Sequence, residues 1–357
     1  MVPIYYIFFK KCNIETFSVK NLVIFRFKSK FLKKYHVQKY TTENYAEWNK
    51  FVANAKNATF LFHRDFMEYH LDRFDDYSLL VFDEKNNLKA ILPANKVENT
   101  VCSHQGLTYG GLILNQKTRL QEVIEIVHSI LKFLNENLIS SFYLKQLPII
   151  YHESPSDEME YLSFILNAKL IRRDSLSVIN LETDFEFSSS RAEGIKRGTD
   201  FGLEFREEQD FTSFWNEILI PNLAQKHQAK PVHSLQEIMY LKSKFPNNIR
   251  QFNVYKEGKI IAGTTVFESD FVAHSQYISA DELKNTTGSL DFLHNRLITY
   301  TFRNKKYFDF GISNENQGQN INQGLLFWKE GFGARTIVQN FYEIETKNYS
   351  LLENVLI

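Results

Sequence analysis

Lys329, Asp309 and His274 are the side chains of this chain best suited to move a proton or to stabilise developing charge. Lys329 lies beside Trp328, and Trp328 and Phe332 are four residues apart, so the two aromatic residues share one helical face and can anchor the backbone while the ammonium reaches into a cleft. Asp309 ends the apolar run Tyr307-Phe308-Asp309 and can act as a base or as an orienting partner for the lysine. His274 sits in a strand-like run from 272 to 279, where an imidazole can take up a proton. Each has a plainer reading: a surface lysine, a carboxylate capping the following loop, and a core or edge histidine.

A second set of residues is suited to binding. Arg191, Lys196 and Arg197 fall within one short basic stretch, and such groups clamp phosphate well, although a solvated helix end explains the same run. In Tyr109-Gly110-Gly111 the glycines let a backbone approach a ligand closely and the tyrosine can stack on a sugar or base; a tight turn between strands is the alternative. Gly288 and Ser289 open a helical pattern, where backbone N–H groups can hold a pyrophosphate. The 10 histidines follow no metal-ligand spacing, and no metal is expected.

The elements that must position these residues come in two similar series. In the first, the pattern predicts helices over 43–55 and 64–74, a hairpin of 77–82 and 88–93, a strand over 97–104, a helix over 119–137 and a strand over 141–147. The second series has helices over 211–227 and 234–245, the latter with Ser234 and Glu237 in capping-box spacing. A hairpin of 249–255 and 259–268, a strand over 272–279, a helix over 288–304 and a strand over 306–311 complete it. One plan used twice implies duplication, and with no low-complexity linker between them the halves should pack together.

The run Tyr307-Phe308-Asp309-Phe310-Gly311-Ile312-Ser313, its Asn- and Gln-rich loop, and Phe327-Trp328-Lys329-Glu330-Gly331-Phe332-Gly333 resemble the C-terminal part of FemABX-type acyltransferases of the GNAT superfamily. Arg191 to Gly198 followed by Phe201 to Phe205 is similar to the basic helix and strand that join the two halves of those enzymes. The resemblance spans roughly 38–348 and implies an α+β fold of two tandem GNAT-like domains, each a central mixed sheet flanked by helices. The expected division is a basic extension at 1–35, a first domain at 36–185 and a second at 186–357. Lys329 would face the acyl donor, with Asp309 and His274 as catalytic partners. Arg191, Lys196 and Arg197 would hold the diphosphate of a nucleotide-linked substrate, and Tyr109, Gly110 and Gly111 would line the acceptor site. Gly288 and Ser289 would bind acyl-CoA, expected to be acetyl-CoA. Residues 285–290 keep the first glycine of the usual pyrophosphate loop but place Asn285 and Leu290 at its other two positions.

The function implied is N-acyl transfer from acyl-CoA to an amine of a sugar or peptide precursor of cell-envelope polymers, the acceptor being nucleotide- or lipid-linked. Aminoacyl-tRNA is the alternative donor, disfavoured because no long coiled-coil insertion lies between Ser234 and Ile249. A non-catalytic binding protein of the same fold is the other alternative. Composition adds bounds. The 42 basic and 42 acidic residues argue against DNA as a partner. Only Cys12 and Cys102 are present, which suits a reducing cytoplasm. Residues 1–35 carry eight Lys or Arg and one Glu; they are expected outside the fold, with a peripheral membrane contact as an alternative role.

Overall fold

The computed structural model describes residues 35–357 and, before them, only the pairing of Ser18–Val19 with Leu22–Val23. The expectation for residues 1–35 otherwise lies outside the described residues.

The first half opens with β1 (His36–Lys39) and α1 (Tyr45–Val52), then the antiparallel hairpin β2 (Leu79–Phe82) and β3 (Leu88–Leu92). A shorter hairpin, β4 (Asn95–Val97) and β5 (Thr100–Cys102), occupies the run expected as one strand. Then come β6 (Ile113–Leu114), α2 (Leu120–Glu136), β7 (Ser141–Lys145) and β8 (Lys169–Asn180). In α2 the apolar residues Val123, Val127, Ile130 and Leu134 recur at helical spacing and are buried, which is why this segment is a helix lying on a sheet.

The second half contains α3 (Ser189–Asp200), β9 (Glu204–Glu208), α4 (Leu235–Lys244), the hairpin β10 (Ile249–Lys256) and β11 (Lys259–Glu268), β12 (Val272–Ala280), α5 (Ser289–Arg296), β13 (Tyr307–Ile312), α6 (Gln323–Glu330) and β14 (Arg335–Glu345). Ser234 accepts from the Glu237 N–H while Glu237 reaches back to the Ser234 N–H, the expected capping box at the start of α4.

The two-part α+β plan is present, but the sheets of the two halves are joined rather than separate. An 11-stranded mixed sheet runs β9-β10-β11-β12-β13-β8-β14-β7-β5-β4 and ends on Asp75–Asp76, while β1, β2, β3 and β6 form a 4-stranded sheet. The join is an exchange. β8, the last strand of the first half, pairs with β13; β14, the last strand of the chain, pairs with β7 and with β8. Each half completes its sheet with a strand from the other, which satisfies two edges that would otherwise carry unpaired backbone groups.

Two places in this sheet splay. β12 and β13 run parallel and pair only from Val272–Tyr307 to His274–Asp309, after which Ser275–Ala280 keeps β11 alone as a partner. In the first half β5 and β7 pair in parallel through Cys102–Tyr143, and the following residues 103–110 fill the space, with the Gly110 N–H bonded to the Lys145 carbonyl at 2.8 Å. The splay of the first half is therefore closed by its own chain. An apolar core that includes Trp48, Phe62, Phe66, Tyr151, Trp215, Phe245 and Phe267 joins the halves, so they pack as expected.

Candidate functional site

The parallel register of β12 and β13 places His274 opposite Asp309 at the last paired position before the strands part. His274 Nδ1 lies 2.9 Å from Asp309 Oδ2, and the same oxygen accepts the Tyr151 hydroxyl at 2.9 Å. The other oxygen, Oδ1, accepts the Gly311 N–H at 2.7 Å, a bond made possible by the left-handed turn at Gly311 (φ 69°). Asp309 is fully buried. Burial alone would raise its pKa; the facing His274 imidazole, and the bonds from His274, Gly311 and Tyr151, outweigh burial and hold the carboxyl below its ordinary value. Burial and the Asp309 carboxylate push the Tyr151 phenol well up, so it remains a donor. Because a carboxylate only accepts, the His274 nitrogen facing it, Nδ1, carries a proton, and in the neutral form of that tautomer Nε2 offers its lone pair to a substrate proton.

Lys329 is 2% exposed, in α6 beside the half-buried Trp328. Its Nζ donates to the carbonyls of Gly311 at 3.1 Å and Ile312 at 2.6 Å, the residues that β13 presents just beyond the Asp309 pair. Burial pushes its pKa down to about 8, against the pull of the Asp309 charge. The expected aromatic anchoring is present: the Trp328 and Phe332 rings stand 5.3 Å apart, and Trp328 Nε1 donates to Asp291 Oδ1 at 2.9 Å.

Two cavities meet β12. One, about 590 Å³, lies in the cleft between the halves and reaches the strand at His274–Gln276, with Asp309, Tyr109, Tyr151 and Arg172 among its walls. The other, about 750 Å³, reaches the strand at Ile278–Ala280 and is walled by Arg191, Arg197, Asp291 and Trp328. Arg191 is tied to Asp291 by a 2.6 Å bond, and burial of that carboxyl raises its pKa despite the guanidinium beside it.

The structure thus pairs His274 with Asp309, sets the Lys329 ammonium on the carbonyls of the following Gly311 and Ile312 but in neither cavity lining, lines one cavity with Tyr109, and lines the other with Arg191 and Arg197. Other candidates stand elsewhere. Lys196 is on the outer face, 75% exposed and paired with Asp200. Gly110 lies outside both linings and packs on backbone: a methyl there would fall 1.9 Å from the Ser103 carbonyl. Gly111, also outside them, supplies a left-handed turn (φ 116°). Gly288 and Ser289 are buried beneath α3, where a methyl at Gly288 would lie 2.0 Å from the Gly194 carbonyl, so neither reaches the cavity. Sequence reasoning missed Tyr151, which a 3-10 turn at Ile149–Tyr151 delivers from the first half; only Pro148 before it marks a turn. Among the described residues no group of acidic, His or Cys side chains could hold a metal ion, and no helix is long and apolar enough to cross a membrane.

No protein-family model and no curated protein sequence matches the chain. Solved structures do. A crystal structure of FemX matches with a TM-score of 0.62 at 10% identity, covering 89% of this chain and 100% of that one. The L-PGS structure from Bacillus licheniformis matches at 0.56 and 13% identity, covering 89% and 98%. The C-terminal domain of a putative lysylphosphatidylglycerol synthetase from Agrobacterium fabrum matches at 0.54 and 13% identity, covering 87% and 93%. The chain has a FemABX/GNAT-like fold.

Proposed function

We propose that this chain is an N-acyltransferase, with halves at 36–185 and 186–357, that moves an acyl group from a carrier onto an amine. The observation that carries the reading is the parting of β12 and β13 immediately after the His274–Asp309 pair, with one cavity on β12 at His274–Gln276 and a second further along the freed strand at Ile278–Ala280. A donor in the Arg191–Arg197 cavity and an acceptor in the cleft would meet beside His274 and Lys329. His274 Nε2 takes the proton as the amine attacks the acyl carbonyl, and Asp309 holds the ring and stabilises the imidazolium. The Lys329 ammonium stabilises charge on the carbonyl oxygen. The C–N bond forms, the carrier bond breaks, and the leaving group takes a proton.

The donor favoured is acyl-CoA, expected to be acetyl-CoA, and the acceptor an amine of a nucleotide- or lipid-linked sugar or peptide used in cell-envelope assembly in the cytoplasm. One observation supports a second reading with aminoacyl-tRNA as donor: Gly288 and Ser289, where a pyrophosphate cradle was expected, are packed under α3. Mass spectrometry of amino-sugar nucleotides and envelope peptides incubated with the purified protein and either donor tests both. Acylated product with acetyl-CoA, lost in His274→Gln, is the expected result. Product only with aminoacyl-tRNA selects the second reading, and no product with any pair overturns the assignment.

A further inference from the structure

One end of the cleft, around Tyr69 and Phe74, contains buried imidazoles that the proposed chemistry does not use. His70 and His233 both line it, 1% and 4% exposed. Neither His70 nitrogen has a hydrogen-bond partner among the described residues, nor has Nε2 of His233. His233 Nδ1 is engaged by the Tyr277 hydroxyl at 2.6 Å. The Tyr69 ring lies against both imidazoles, 4.1 Å from His70 and 5.3 Å from His233 between centroids. Buried polar atoms normally find partners, and leaving several unpaired at one place costs stability. A cost of this kind, gathered on one wall of a cavity, is what a binding surface carries before its ligand arrives.

The charge pattern decides the kind of ligand. Burial pushes the pKa of each ring down to about 4, so both are neutral near pH 7, and a neutral imidazole offers one donor and one acceptor rather than a positive charge. The cations in the lining are already bonded within the protein. Arg73 pairs with Glu237. Arg172 binds Asp174 at 2.7 Å and Gln317 at 2.8 Å, and Lys145 Nζ donates to the Leu107 carbonyl at 2.5 Å. An anion placed here would lose its water and find Arg73 and Arg172 already paired with carboxylates, which leaves Lys145, bonded to a neutral carbonyl, as the weaker attraction in the lining. A group with adjacent donors and acceptors, lying on the aromatic faces of Tyr69 and Phe74, would satisfy the orphaned nitrogens.

We propose that this end of the cleft is a subsite for an uncharged, hydrogen-bonding part of the acceptor, either a hydroxyl-bearing sugar ring or a peptide amide. The inference rests on the reading of the cleft as the acceptor cavity, but its test needs no acyl donor and no turnover. The full chain, labelled with ¹⁵N in its histidines, is titrated with N-acetylglucosamine, with N-acetylalaninamide, and with N-acetylglucosamine 1-phosphate. The expected result is that the sugar or the amide shifts the imidazole signals of His70 and His233, the one that does so identifying the source. The phosphate ester should bind at least tenfold more weakly than the neutral sugar. Equal or tighter binding of the ester overturns the proposal, as does absence of any shift with both neutral probes. In His70→Phe an aromatic ring remains and two unpartnered nitrogens are removed, so the thermal midpoint should hold or rise while neutral-probe binding falls at least tenfold. A lower midpoint with binding intact would assign His70 to packing and overturn its part in the subsite.

Discussion

Lys329 can be separated from its surroundings by two measurements. If its ammonium stabilises charge during transfer, Lys329→Met should lower turnover by on the order of a hundredfold while substrate binding changes little. Full activity in that variant would remove the lysine from the chemistry. Its burial gives an independent signature. The folded-state pKa of about 8 lies below the ordinary 10.5, so between those values the unfolded chain holds a proton that the folded chain has released. Stability should therefore rise as pH increases from about 8 to 10.5, by up to about 3 kcal/mol, and the rise should be missing in Lys329→Met chemical denaturation series. Asp309→Asn tests the other partner. It replaces a carboxylate that accepts from His274, Tyr151 and Gly311 with an amide that cannot fix the Nδ1–H tautomer. Turnover should fall by about 10² to 10³, with the loss expressed in kcat more than in KM; an unchanged rate would leave Asp309 as a structural carboxylate only. His274, Asp309 and Lys329 were legible in the sequence because each has a local signature: a polar group ending or interrupting an apolar run, or a lysine between aromatic anchors. Tyr151 was not, because its partner is 158 residues away and nothing in Ile149-Ile150-Tyr151 points to a carboxylate.

At the scale of elements, hairpins, the α4 capping box and the amphipathic α2 followed from the sequence because their causes lie within a few residues of one another. The role of Gly288 did not follow. As a residue type it fits both a phosphate cradle and a close helix contact, and only the packing of α3 on α5 selects the second. That contact is built on small residues: a methyl at Gly194 would fall 1.8 Å from Asp291 Oδ2, and one at Gly198 would fall 2.6 Å from the Phe292 Cβ. Asp291 in turn accepts from both Arg191 and Trp328, so the spacing of α3 from α5 fixes one wall of the larger cavity. Gly194→Ala should force the helices apart, lower stability by about 1–3 kcal/mol and weaken donor binding, because Arg191 can no longer keep its place. Thermal melts and donor titration measure the two effects. A variant as stable as the wild type would show that α3 can shift at no cost and that the wall is not held by this contact.

For the whole molecule, the exchange of β8 and β14 is the feature least visible in the sequence, since a strand pattern shows that a segment is extended but not which edge it joins. Its consequence is that neither half holds a complete sheet. Within residues 36–185, β7 lacks the strand that covers it from Phe341 to Glu345, and β8 lacks partners on both sides, β14 and β13. Within residues 186–357, β14 has neither β7 nor β8 to pair with, and β13 loses β8. The apolar core between the halves would also be cut, parting Phe60 and Phe66 from Phe245 and Phe267. Long unpaired edges beside apolar surface favour aggregation. Fragments 36–185 and 186–357 expressed separately should therefore show no cooperative unfolding transition, and together they should form a one-to-one complex that melts as a unit. A single fragment that unfolds cooperatively on its own would show that its sheet is stable without the exchanged strand, and the exchange would then be a docking arrangement between finished domains rather than the event that completes the fold.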